Sequence, residues 1–106
     1  MSDSTSRSLT ALRVILFLDS NAWVAQGLEL DIAAQGKDIA ETKACFMATF
    51  SAEYDYCKSQ GKEMRELIGP APSKFEAWFG KALHSETVTV REAGAEIAKI
   101  EFAATA

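Results

Sequence analysis

The sequence predicts an α+β domain with a three- to four-stranded, mainly antiparallel sheet. The predicted element order is β-β-β-α-(α)-β, with a long helix on one face of the sheet. Three observations predict it. Two runs rich in apolar residues, Leu9 to Leu18 and Ala22 to Glu29, alternate with period two and are joined by Asp19-Ser20-Asn21. After Asp38 the aromatic residues recur at helical spacing. Towards the C-terminus, from Glu96 to Ala103, the period returns to two.

Each element has a local reason. In the first run Leu12, Val14, Leu16 and Leu18 point one way, and Arg13, Ile15 and Phe17 the other. A strand apolar on both faces is expected to be central and covered on both sides. Asp19-Ser20-Asn21 reads as a turn, with Asn21 as the residue that tolerates a positive φ. In the second run Trp23, Ala25 and Gly27 share a face, opposite Val24, Gln26 and Leu28. A short third strand is predicted over Ile32 to Gln35. Asp38 is a good helix N-cap, and Glu41 three residues on completes a capping-box spacing. The helix that follows carries Ile39, Phe46, Phe50 and Cys57 on one stripe, with Met47 and Tyr54 beside it, and ends near Gly61.

Lys62 to Pro72 reads as a connector without regular structure, tacked down by Met64, Leu67 and Ile68. Ser73 and Glu76 give a second capping-box spacing ahead of a helix to about Leu83, whose face is Phe75, Trp78, Phe79 and Ala82. Between His84 and Ala95 the pattern is ambiguous. Thr87-Val88-Thr89-Val90 has strand propensity, while Arg91 to Glu96 reads as turn. In the last strand Ala98, Ile100 and Phe102 face one way, and Lys99 and Glu101 the other. Met1 to Ser8 is Ser/Thr-rich and is expected to be disordered, leaving residues 9–104 as one domain.

Composition bounds the function. The 106 residues are one domain's worth, with an apolar fraction of 48% and a charged fraction of 25%. Eleven basic residues against fifteen acidic ones leave a net charge of −4, opposite in sign to the footprint of a double-stranded DNA binder. The polar start of the chain lacks the apolar core of a signal peptide, and no apolar run approaches the ~18 residues of a membrane span. Cys45 and Cys57 fall on one predicted helix, twelve residues apart. Their Cα atoms would lie roughly 18 Å apart, beyond disulfide reach, which points to reduced thiols and a cytoplasmic protein.

Candidate chemistry is sparse. Glu29 and Asp31 would share a face of a continuous strand, with Asp19 near in sequence. Such acids can bind a divalent cation, or they can be solvated charges that blunt a sheet edge. His84 stands alone, near an expected helix end where an imidazole is favourable on dipole grounds. The glycines form no phosphate-binding pattern, and no Cys/His metal spacing occurs, so no cofactor or metal is implied. Trp23 shares its face with Ala25 and Gly27. Either a helix packs closely there or the indole is offered to a partner.

Two stretches carry a family resemblance. Trp23-Val24-Ala25-Gln26-Gly27-Leu28, of the form W-x-A-x-x-L, leads into Asp31-Ile32-Ala33-Ala34-Gln35-Gly36, of the form D-x-x-A-x-G, and then into the helix capped by Asp38. Over about Leu12 to Cys57 the chain resembles the HicB-type antitoxin domain. The resemblance implies a β-β-β-α-β arrangement of partial RNase H-like form, self-association, and a small basic toxin ribonuclease of the HicA type as partner. Antitoxins of this family commonly add a C-terminal DNA-binding module. The C-terminal half here offers one aromatic helix and a strand instead, so the chain resembles stand-alone HicB-like proteins.

The expected function is therefore a non-catalytic protein-binding module that sequesters a small basic partner and forms a dimer or larger oligomer. A docking face is expected at Trp23, Gln26, Glu29 and Asp31, with the acids steering and the indole anchoring. Two alternatives stay open: a divalent-metal nuclease using Asp19, Glu29 and Asp31, and a structural oligomer.

Overall fold

The computed structural model describes residues 11–90, 97 and 99–105. The expected N-terminal tail, the turn over Arg91 to Glu96 and the inward-facing Ala98 lie outside the described residues.

The α+β class and the helix-on-sheet arrangement are observed, with five strands in place of three or four. In chain order the elements are β1 (Ala11–Asp19), β2 (Ala22–Gly27), β3 (Ala33–Gly36), α1 (Ile39–Ser59), α2 (Met64–Leu67), α3 (Lys74–Gly80), β4 (His84–Thr89) and β5 (Lys99–Ala104). The sheet order is β3-β2-β1-β5-β4. All neighbouring pairs are antiparallel except β1 and β5, which run parallel with Val14 opposite Phe102.

β1 is the central strand, as its two apolar faces require. Leu12, Val14 and Leu16 join Phe46, Phe50 and Cys57 of α1, with Ile100, Phe102 and Ala104 of β5, in the main core. The Phe46 ring meets the Phe102 ring edge-on, with centroids 5.8 Å apart. On the other face Ile15 packs with Leu28 and Phe75, and Phe17, Ala71, Phe79 and Ala82 surround them. α1 and α3 therefore lie on opposite faces of the sheet.

The β1–β2 turn is a two-residue hairpin closed by Asp19 and Ala22. The positive φ (59°) falls on Ser20, not on Asn21. A positive φ at the first turn residue suits the twist of a tight hairpin.

α1 begins as its sequence dictates. The Asp38 carboxylate accepts from the Glu41 amide at 2.7 Å, and the Glu41 carboxylate accepts from the Lys37 amide, one residue before the cap. Thr42 is also buried on the inner face, its hydroxyl donating to the Asp38 carbonyl at 2.7 Å. A Cβ on Gly36 would lie 2.8 Å from the Thr42 hydroxyl oxygen, so β3 can approach the first turn of α1 only with glycine there. At the far end Gly61 takes φ 68° just past the Gln60 C-cap.

Three details differ from expectation. The connector contains the single-turn helix α2, in which Met64 is buried and Ile68 packs on the core, while Leu67 faces solvent. The helix after Ser73 stops at Gly80; Ser73 is itself in helical conformation (φ −64°, ψ −18°) and its side chain makes no cap, while the Glu76 carboxylate is turned to Arg13. His84 is not at a helix end; it opens β4, opposite Ala104.

Candidate functional site

The stretch holding Glu29 and Asp31 is a clamped loop, not a continuous strand. β2 stops at Gly27, whose amide donates across the loop to the Ile32 carbonyl at 2.8 Å. The Leu28 amide donates to Arg13 on β1, the Ala71 amide donates to the Leu28 carbonyl, and the Asp31 amide donates to the Gly69 carbonyl. Leu28, Leu30 and Ile32 are buried. With both flanks tied, the acids project where the loop puts them and do not follow strand alternation.

Each acid has a local partner. Glu29 accepts from the Arg13 backbone amide at 2.9 Å and from its Nε at 2.6 Å. The two outer nitrogens of the same guanidinium grip Glu76 of α3 at 3.0 and 2.8 Å, and the guanidinium carbon lies 5.6 Å above the Phe79 ring. Burial alone would lower the Arg13 pKa, but the hydrogen bonds and charges of Glu29 and Glu76 outweigh it and the pKa is raised. A raised cationic pKa means that this group's contribution to stability is fully present below its unfolded value and is lost only as pH rises through the higher folded one. Across the working pH range the guanidinium stays charged.

Asp31 is exposed and accepts from the Gln26 side-chain amide at 2.8 Å, while Gln26 is otherwise buried and donates also to the Gly27 carbonyl. Gln26, Glu29 and Asp31 are thus brought together at the start of β1. Trp23 is not with them. It pairs with Leu18 at the other end of the sheet, on the α1 face, where it packs partly buried against the main core. Trp23 is thus partly buried against the cluster that holds Phe46 and Phe50 of α1.

Asp19 is also apart from the other two acids. It ends β1, six residues from Arg13, or about 20 Å along the strand. Among the described residues no group of three or more His, Cys, Asp or Glu is placed to hold a metal ion. Cys45 is exposed and Cys57 buried, both on α1. No helix among the described residues is long and apolar enough to cross a membrane.

Two surface depressions border the sheet. On the α1 face a cavity of about 230 Å³ lies between Leu16, Ile39, Phe102 and Ala104, and the Lys43–Glu86 ion pair joins α1 to β4 beside it. On the α3 face a cleft of about 340 Å³ is lined by Phe17, Leu18, Asp19, Lys74, Phe75 and Trp78. Large apolar side chains are exposed at this same end of the sheet: Leu18 (58%), Trp78 (37%) and Leu83 (68%). The sequence sets Trp78 on one helical face with Phe75 and Phe79 and does not single out Lys74. The signal available was Phe17 alternating with Ile15 and Arg13 on β1, which sets an aromatic beside the α3 aromatics.

Replacing Arg13 with Met keeps the stem's packing and removes the guanidinium. The Glu76 half of the clip is exposed and counts for little, whereas Glu29 is left half-buried with one backbone donor. The expected cost is about 1–2 kcal/mol in a denaturant titration, with faster amide exchange confined to α3. Loss of exchange protection spread evenly over all elements would contradict the assignment of Arg13 as the α3 clip.

Comparison with family models, with curated proteins and with solved structures finds no match.

Proposed function

We propose that this chain is a protein-binding module without catalytic activity, of the kind its β2-to-α1 sequence resembles, which covers a small basic protein and associates with itself in the cytoplasm. The observation that carries the reading is the gathering of exposed Leu18, Trp78 and Leu83 at one end of the sheet. Scattered exposed apolar residues are ordinary, but Leu18 and Trp78 both line the α3-face cleft, and exposed apolar side chains beside a cleft are characteristic of an interaction surface. The acids available for chemistry support it from the other side, since Glu29 is bound to Arg13 and Asp19 stands at the opposite end.

Charge supports the choice of partner. A chain of net charge −4 with Asp31 exposed attracts a basic surface, which speeds encounter and sets orientation more than it adds affinity. For self-association the longer of the two edge strands is β4, six residues against four in β3, with its outer side unpaired in the sheet order of the described residues. Symmetric pairing is the commonest way to cover such an edge.

The test is recovery of the tagged protein from its own cells, with sedimentation of the purified chain. The expected result is a stoichiometric small basic protein, retained by Asp31→Asn and lost from a Leu18→Asp, Leu83→Asp double variant, and a dimer or larger species at micromolar concentration. Recovery of the chain as a lone monomer overturns the reading. So does cleavage of RNA with Mg²⁺ or Mn²⁺ that Asp31→Asn abolishes.

A further inference from the structure

The cleft on the α3 face is built from three rings in an ordered arrangement. Phe17 and Phe75 are stacked, with centroids 5.9 Å apart and planes 26° from parallel. Trp78 stands nearly perpendicular to both, 5.0 Å from Phe17 at 82° and 5.1 Å from Phe75 at 83°. The ammonium of Lys74 lies 5.2 Å over the Phe75 ring and 5.9 Å over the Trp78 ring. Asp19 brings a carboxylate to the rim. Among the described residues neither Asp19 nor Lys74 has an ion-pair partner.

We propose that this cleft is the anchor point for an arginine or lysine side chain of the basic partner, a reading that rests on the protein-binding function proposed above. Aromatic faces attract cations through the ring quadrupole, most strongly when water is excluded. Lys74 already occupies that position as a resident cation. It is an exposed residue on a flexible four-carbon stem, so an incoming guanidinium can displace it into solvent. The Asp19 carboxylate then supplies the countercharge that the rings lack. Leu18 and Trp78, exposed on the rim, are what a protein surface would cover and a small free cation would not, which selects a protein partner as the source of the cation.

The resident lysine gives the proposal a signature that a plain apolar patch lacks, because removing a competitor strengthens binding. Full-length ¹⁵N-labelled protein is titrated with N-acetyl-arginine amide and with the neutral isostere N-acetyl-citrulline amide. The readout is the indole N–H resonance of Trp78, told apart from that of Trp23 by a Trp23→Phe variant. The expected result is saturable binding of the arginine compound in the millimolar range, at least about tenfold tighter than citrulline. Lys74→Ala should tighten the arginine compound about threefold or more, and Asp19→Asn should weaken it by a similar factor. Neither substitution removes a ring from the cleft, so both variants should melt within a few degrees of the parent.

Equal binding of the two compounds, binding of neither, or no tightening in Lys74→Ala overturns the proposal. Because the titration contains no partner, the two readings fail separately. Selective arginine binding with no basic partner recovered leaves the cleft standing and removes the protein-binding function. The reverse outcome removes the cleft alone.

Discussion

Phe46→Ala is expected to destabilise the domain by about 3–5 kcal/mol, the range for emptying a fully buried aromatic site. Phe46 is wholly buried where α1 crosses the sheet, in edge-on contact with Phe102 and in one cluster with Leu12, Val14 and Leu16. The ring joins the helix to both β1 and β5, so its loss leaves a cavity that neither side can close without moving the other. A domain of this size is stable by only about 5–15 kcal/mol, and the variant should sit near the edge of folding at 37 °C. A urea titration measures it. Phe46→Leu, which keeps most of the volume, should recover more than half of the loss. A cost below about 1.5 kcal/mol for Phe46→Ala would mean that α1 is not fixed to the sheet by this residue.

Gly27→Ala is expected to cost about 1–3 kcal/mol although it adds a single methyl group. The new Cβ would lie 2.5 Å from the Leu30 carbonyl oxygen, and that oxygen is backbone, so the loop itself must move. The loop has little freedom to do so, being tied to β1 through Leu28 and to the connector through Gly69 and Ala71. Any shift also disturbs Glu29 and through it the Arg13 clip on α3. Gly80→Ala is the control. A Cβ there meets nothing within 4 Å and the residue is helical, so the change should be neutral or stabilise by about 0.4–1 kcal/mol. Equal effects of the two substitutions would show that the Gly27–Leu30 approach does not constrain the loop.

The elements legible in the sequence are those with a strong period or an explicit cap. β1 has two apolar faces and is central, α1 has Asp38 and a stripe from Ile39 to Cys57, and β5 alternates into the core beside β1. β4 is ambiguous in the sequence because an edge strand needs little apolar surface, and its Val88 packs on the core only partly buried. Thr42 escaped the helical-wheel reading because its polar hydroxyl is satisfied inside its own helix turn.

The candidate docking face was legible only in part. Gln26 and Asp31 are hydrogen-bonded through a clamped turn that alternation cannot foresee, and Glu29 is drawn away by an arginine sixteen residues earlier in the chain. Trp23 lies three residues before Gln26 on β2, about 10 Å along the strand, and packs on the α1 face of the sheet. The cleft of Phe17, Phe75 and Trp78 joins residues from β1 and α3, and its assembly depends on which face of the sheet α3 takes. No local pattern specifies that choice. The Arg13–Glu76 pair that holds α3 there was concealed by Glu76's spacing from Ser73, which reads equally well as a helix cap.

The central claim, recognition of a basic protein through the apolar end of the sheet, is tested most directly by quantitative co-purification from the native cells. Parent protein is compared with the Leu18→Asp, Leu83→Asp double variant, both positions being more than half exposed and therefore tolerant of charge in the fold. The predicted result is a small basic protein recovered at a fixed ratio with the parent and reduced at least about tenfold with the double variant, while both chains melt within a few degrees of one another. Equal recovery of that protein by the two chains would contradict the account.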